Sequence, residues 1–229
     1  MALTDNLISV WHMNNDWQDS WGTNHGTASG AIFSTSAKLG SHAGSFDGVD
    51  DRTDFGNAAS LNPTTAITMH AWIYFNTLAS NQYPFSKPYT AAVEPYHQYV
   101  IVVDTAGKIY FELAIAGVRR TASSNNGAIV TGQWYHVVGS YDGATVKLYI
   151  NNVLQPNTTS ITGSITTYAT NLTLGRWTPG PNYFNGRLDE VAIASRAWQQ
   201  ADVTESYNGG AGIEIGAAVL RSYERVLRG

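Results

Sequence analysis

Seventeen acidic side chains carry whatever acid–base or metal chemistry this 229-residue chain performs, and their spacing speaks against a catalytic pair. Two carboxylates two residues apart on one strand would share a face and could act together as nucleophile and general acid. No two of the 17 acids here stand two positions apart. Asp189 and Glu190 are adjacent, and a regular strand would send them to opposite faces, with one structural role each. The histidines, His12, His25, His42, His70, His97 and His136, are isolated in sequence with no HxxxH pair, and cysteine is absent. That leaves no zinc motif and no thiolate chemistry. The nucleophile-elbow, dinucleotide and phosphate-loop patterns are missing as well. The sequence reads as non-catalytic.

What remains is chemistry of binding. Residues 14–26 form a loop rich in Asn, Asp, Trp and Gly, and such loops supply the carboxylate, amide and carbonyl oxygens that calcium takes. Asp19 and Asn24 are its candidate ligands. Flat aromatic rings in loops can stack on sugar rings. Tyr83 and Tyr89 lie in a proline-punctuated stretch, and Trp177 and Tyr183 flank Thr178-Pro179-Gly180-Pro181-Asn182, so these four are the candidate ligand contacts. Trp11, Trp72 and Trp134 fall on strand patterns and read as core.

These residues must be positioned by strands. Ile67, Met69, Ala71, Ile73 and Phe75 alternate with Thr68, His70, Trp72 and Tyr74, the clearest period-2 run in the chain. Further strands fit 7–11, 27–33, 43–47, 51–55, 96–104, 108–115, 134–141, 145–151, 171–175 and 187–195. Ala106-Gly107, Asn126-Gly127 and Asp142-Gly143 supply turns between them. Turn signals about every ten residues predict an all-β protein, a two-sheet antiparallel jelly-roll sandwich. Only the end reads as helical: 198–207, stopped by Asn208-Gly209-Gly210, and a tail at 213–229. In that tail Val219, Leu220, Tyr223, Val226 and Leu227 make an apolar stripe. The expected organisation is one domain over 1–212 and the tail over 213–229.

Composition narrows the partners. Charged residues are 13%, aromatic residues 12%, and the net charge is −4, with no basic block before the tail, which argues against nucleic acid. No apolar run approaches the length needed to span a bilayer, and residues 1–6 do not resemble a signal peptide.

Several segments, in order, resemble laminin-G-like and pentraxin-like domains of the concanavalin A type. They are Leu7-Ile8-Ser9-Val10-Trp11, Asp19-Ser20-Trp21-Gly22-Thr23-Asn24-His25-Gly26, Ser45-Phe46-Asp47-Gly48-Val49-Asp50-Asp51 and Ile67–Ile73. Trp134–Gly143, Lys147–Asn152 and Phe184–Trp198 complete the set. Asn152 stands where the family usually has glycine. The resemblance implies the jelly roll, and a structural calcium tying the first loop to the closing strand through Asp19 and Asp189, with Asp47 as a further ligand. Most such domains bind, often glycans, so the resemblance also implies glycan binding. No acidic cluster of the pentraxin ligand-capturing type stands near Asn125–Gln133. An alternative is a purely structural assembly protein, self-associating or docking on partners through the tail. A folded unit without disulfides or a signal peptide suits a bacteriophage virion protein (decoration, fibre or tail-associated), found in the virion or outside the cell after release.

Overall fold

The structure, a computed structural model, describes residues 1–178, 180 and 182–217. Two antiparallel sheets stack face to face, as the alternation predicts. The larger runs Val153–Leu154, Thr145–Ile150, Trp134–Tyr141, Ile67–Phe75, Asn185–Ala194, Ala43–Asp47 and Ile32–Ser34. Leu7–Trp11 pairs with the second half of Asn185–Ala194, and Thr159–Ser160 with Thr145–Ile150. The smaller sheet runs Val118–Ser123, Ile109–Ile115, His97–Val103, Gln82–Pro88, Thr173–Leu174, Arg52–Asp54 and Thr27–Ser29. A short ribbon, Arg176–Trp177 with Asn182–Tyr183, stands apart.

Between the sheets lies the main core. Ile67, Met69, Ala71, Ile73 and Phe75 from one layer pack with Phe85, Tyr99, Ile101, Phe111 and Leu113 from the other. Each such side chain stabilises the fold by roughly 1.5–3 kcal/mol on burial. The Asn151-Asn152 turn between Ile150 and Val153 has φ of 48° and 69°, the left-handed pair that a two-residue hairpin requires. Asn152 therefore does the work of the family's glycine.

A second, smaller core covers the outer face of the larger sheet. Val10, Val138, Tyr149, Ala192 and Ala194 pack there beneath Trp198, Val203 and Ile215. The helix Gln200–Tyr207 rides on this layer and ends at Asn208 in the left-handed conformation. Asp202 in its first turn holds Arg196 through two bonds of 2.8 and 2.7 Å. Ile213 and Ile215 pack on the same layer, so the start of the expected 213–229 tail joins the sandwich at this point instead of leading away from it. The apolar stripe from Val219 to Leu227 lies outside the described residues. Trp72 is buried as expected. Trp134 is not: it sits half-exposed on the outer face, edge-on to Tyr74, outside the cover formed by the described C-terminal residues.

Two readings of the polar residues need correction. First, Asp189 and Glu190 do not go to opposite faces. The pairing of Asn185–Ala194 with Ile67–Phe75 slips between Asp189 and Ala192, and Glu190 has φ of 49°, so the strand carries a β-bulge. Leu188, Val191 and Ile193 all reach the main core, while Asp189 and Glu190 both turn outward under the C-terminal cover. Second, the histidines are not isolated in space. His70 and His136, on neighbouring strands, meet at 3.0 Å between their Nε2 atoms, and His136 also reaches the Ser206 hydroxyl at 3.0 Å. His12 Nδ1 contacts the Glu190 carboxylate at 2.6 Å. Burial lowers the His70 pKa to about 4 and holds His136 well below its ordinary value. Burial opposes charge on His12 too, but the bond to Glu190 and its charge outweigh that and raise its pKa.

Candidate functional site

A cleft of about 630 Å³ opens on the outer face of the smaller sheet. Strand alternation builds its floor. Ile109, Phe111 and Leu113 point into the core, so Tyr110 and Glu112 point out; Tyr99, Ile101 and Val103 do the same for Val102. Arg119 and Thr121 come from Val118–Ser123 at one side, and Tyr83 and Trp177 from the other. The loop before His97 brings Tyr96 over the end, where the Arg119 guanidinium lies 5.3 Å from its ring.

Three half-exposed tyrosines, Tyr83, Tyr96 and Tyr110, therefore line one concave surface. Trp177 backs Tyr83 in a stacked pair at 5.5 Å and 21°. It is only 9% exposed, and its indole N–H, itself buried, has no partner among the described residues. His97 stands at the same wall, 5.9 Å from Trp177, with its Nδ1 in the same state.

The electrostatics follow from burial. Desolvation raises the Glu112 pKa against the opposing pull of Arg119. It lowers His97 to about 3, so that ring is neutral. Burial, with the hydrogen bond to Asp104 added, pushes the Tyr110 phenol up to about 12. Arg119 bridges Glu94 at 2.8 Å and Glu112 at 3.6 Å.

Of the four aromatics expected from sequence, the structure brings Tyr83 and Trp177 together here. Tyr183 lies beneath the Arg176 guanidinium at 5.4 Å, and Tyr89 packs on Tyr168 at 4.5 Å; neither lines the cleft. Tyr96, His97, Tyr110, Glu112 and Arg119 were missed. For Tyr110 and Glu112 the signal was present, since they are the polar alternates of a strand whose other face is Ile109, Phe111 and Leu113.

The expected calcium ligands are placed differently. Asp19 accepts the amides of Val10 at 3.1 Å, Trp21 at 3.0 Å, Gly22 at 2.8 Å and Asn24 at 3.0 Å. Three of these N–H groups converge on Oδ1 and the fourth reaches Oδ2. Asp189 accepts Lys38 at 2.8 Å, Leu39 at 2.9 Å and its neighbour Glu190 at 2.9 Å. Burial lifts its pKa to about 7. The Asn24 side chain bonds Ser9 and Ser60. Amide hydrogens point at the oxygens where a cation would sit, so this donor set does not fit an ion shared by Asp19 and Asp189. Asp47 is brought to Asp50 and Asp51, with carboxylate oxygens within 4.8 Å, while its own Oδ1 accepts the Val49 amide in the turn.

Residues 47–204, more than two thirds of the chain, match the family described as the concanavalin A-like lectin/glucanases superfamily, Laminin_G_3. The chain belongs to that superfamily. No curated protein matches the sequence. Among solved structures, this concanavalin A-like chain is similar to domain 4 of AbnA, a GH43 extracellular arabinanase from Geobacillus stearothermophilus, solved in complex with arabinotriose. Identity is 19%, the TM-score 0.65, and the match covers 91% of this chain and 98% of that one. The binding domain of Paraclostridial Mosquitocidal Protein 1 is similar at 15% identity and TM-score 0.70, over 88% and 52% of the two chains. The binding domain of Botulinum Neurotoxin DC in complex with SialylT is similar at 12% identity and TM-score 0.69, over 90% and 52%. The chain thus spans about half the length of the toxin binding domains. At these identities the likeness establishes the concanavalin A-like fold.

Proposed function

We propose that this chain is a non-catalytic glycan-binding domain whose ligand occupies the cleft on the smaller sheet. The observation that carries the reading is the convergence of Tyr83, Tyr96 and Tyr110 on one concave surface, backed by Trp177 stacked on Tyr83. Stacking surfaces with a few convergent polar groups are what a sugar needs, since each ring has an apolar face and a rim of hydroxyls. The similar AbnA domain, solved with arabinotriose, and the similar toxin binding domains support it.

Binding without turnover is supported by the carboxylates of the cleft. Glu94 and Glu112 are both drawn to the Arg119 guanidinium, at 2.8 and 3.6 Å, and Asp104 is engaged by the Tyr110 hydroxyl at 2.7 Å, so each carboxylate is held by a neighbour.

A glycan array followed by calorimetric titration of the strongest hit tests the reading. Tyr83→Ala is expected to weaken binding about tenfold, the equivalent of about 1.4 kcal/mol of stacking, with the melting curve little changed. Binding that is indifferent to Tyr83 and Tyr110 would move the site elsewhere.

A further inference from the structure

Which sugars the cleft accepts is set by its charges, a question that rests on the glycan reading above. Among the described lining residues Arg119 is the one cationic side chain, and it is already held from two sides. Its Nη2 bonds Glu94 at 2.8 Å, its Nη1 faces Glu112 at 3.6 Å, and its plane lies over Tyr96. Lys108 stands at the rim with its ammonium 5.1 Å from the centre of the Tyr110 ring. Against these stand three carboxylates: Glu112 in the floor, Asp104 in the lining and Glu94 on the loop. Glu112 is 6% exposed, so water screens it little.

An anionic sugar entering here would have to take Arg119 from Glu94 or Glu112. In either case it would face Glu112, which is buried beside the guanidinium, and like charges at that range repel strongly in a poorly solvated site. A hydroxyl group meets no such conflict. It donates to the Glu112 or Asp104 oxygens, whereas a carboxylate can only accept. His97 adds no positive charge, being neutral.

We infer that the cleft selects neutral, hydroxyl-rich oligosaccharides and rejects anionic ones, with Glu112 as the residue that enforces the choice.

Calorimetric titration at low ionic strength tests this with neutral probes (arabinotriose, xylotriose, cellotriose and mannotriose) and anionic probes (trigalacturonate and 3′-sialyllactose). Binding is expected from at least one neutral probe, about tenfold or more tighter than from either anionic one. Glu112→Gln should weaken the neutral probe about tenfold, while Arg119→Gln should leave the anionic probes unbound. Tight binding of an anionic probe that Arg119→Gln abolishes would overturn the inference and leave the glycan reading standing. Neutral binding unaffected by Glu112→Gln would overturn it as well. Silence with every probe, from protein shown folded by its melting curve, would count against the glycan reading itself.

Discussion

Replacing Asp19 with alanine is expected to destabilise the protein by about 4 kcal/mol and to lower its melting temperature by about 10 °C, with or without calcium. Four backbone amides, from Val10, Trp21, Gly22 and Asn24, converge on this one carboxylate, which is 5% exposed. A hydrogen bond to a charged group contributes about 1.5–3 kcal/mol, and the four are not independent, because one water entering the gap would recover part of the loss. The remaining cost is still a large share of the roughly 5–15 kcal/mol that holds a domain folded. A chelator should leave the melting temperature of the unaltered protein where it is, since the loop is tied down by amides. Chemical denaturation and thermal melting, each with EDTA or with calcium, measure both effects. A chelator-induced drop in melting temperature that Asp19→Ala or Asp189→Ala removes would restore the calcium link between loop and closing strand.

His70→Gln is expected to remove about 3 kcal/mol of acid sensitivity. Burial lowers the His70 pKa from 6.5 to about 4, so the folded protein binds fewer protons than the unfolded chain in that interval. The sign follows: the contribution is complete above pH 6.5, falls as pH drops through that value, and is lost by about pH 4. The shift corresponds to about 3 kcal/mol. Asp189, raised to about 7, acts in the opposite sense over much of the same range, and Glu190 and His12 add their own slopes. These groups are present in both proteins, so the difference between the two stability curves isolates the histidine pair. Glutamine keeps a donor for the Glu190 carbonyl, which His70 Nδ1 contacts at 2.7 Å, and carries no titrating charge. Urea denaturation of both proteins at pH 7, 5.5 and 4 should show the gap between them shrinking as pH falls. Parallel curves would mean that His70 takes up its proton without strain.

The sandwich was legible because its strands obey period 2 and its turns carry residues that accept positive φ. The Ile67–Phe75 strand is the case in point, with each alternate side chain found on its expected side. Adjacent acids on the closing strand misled for a physical reason: a β-bulge at Glu190 has no local residue signature and inverts the facing of everything before it relative to everything after. The His70–His136 contact depends on neighbouring strands 66 residues apart, which no local spacing reports. Trp134 reads as core by type and strand position, yet the cover formed by the described C-terminal residues does not include it. In the cleft, Tyr83 and Trp177 were visible as loop aromatics, whereas Tyr96 and Arg119 enter only because the sheet order sets Val118–Ser123 two strands from the loop's own strand. The Asp19 loop was recognised by its residues. Whether its carboxylate faces a cation or a ring of amides is decided by backbone direction alone.

The most direct test of the glycan-binding cleft uses the indole N–H signals of the seven tryptophans. In a ¹H–¹⁵N spectrum the Trp177 signal, assigned by its loss in Trp177→Phe, should move progressively as the best array hit is titrated in, because this ring lines the cleft and stacks on Tyr83. Trp11, Trp72 and Trp198, buried on or against the other sheet, should stay fixed. Saturable movement of Trp177 alone is the predicted result. A titration that leaves Trp177 in place while shifting Trp134 would put the ligand on the opposite face and contradict the account.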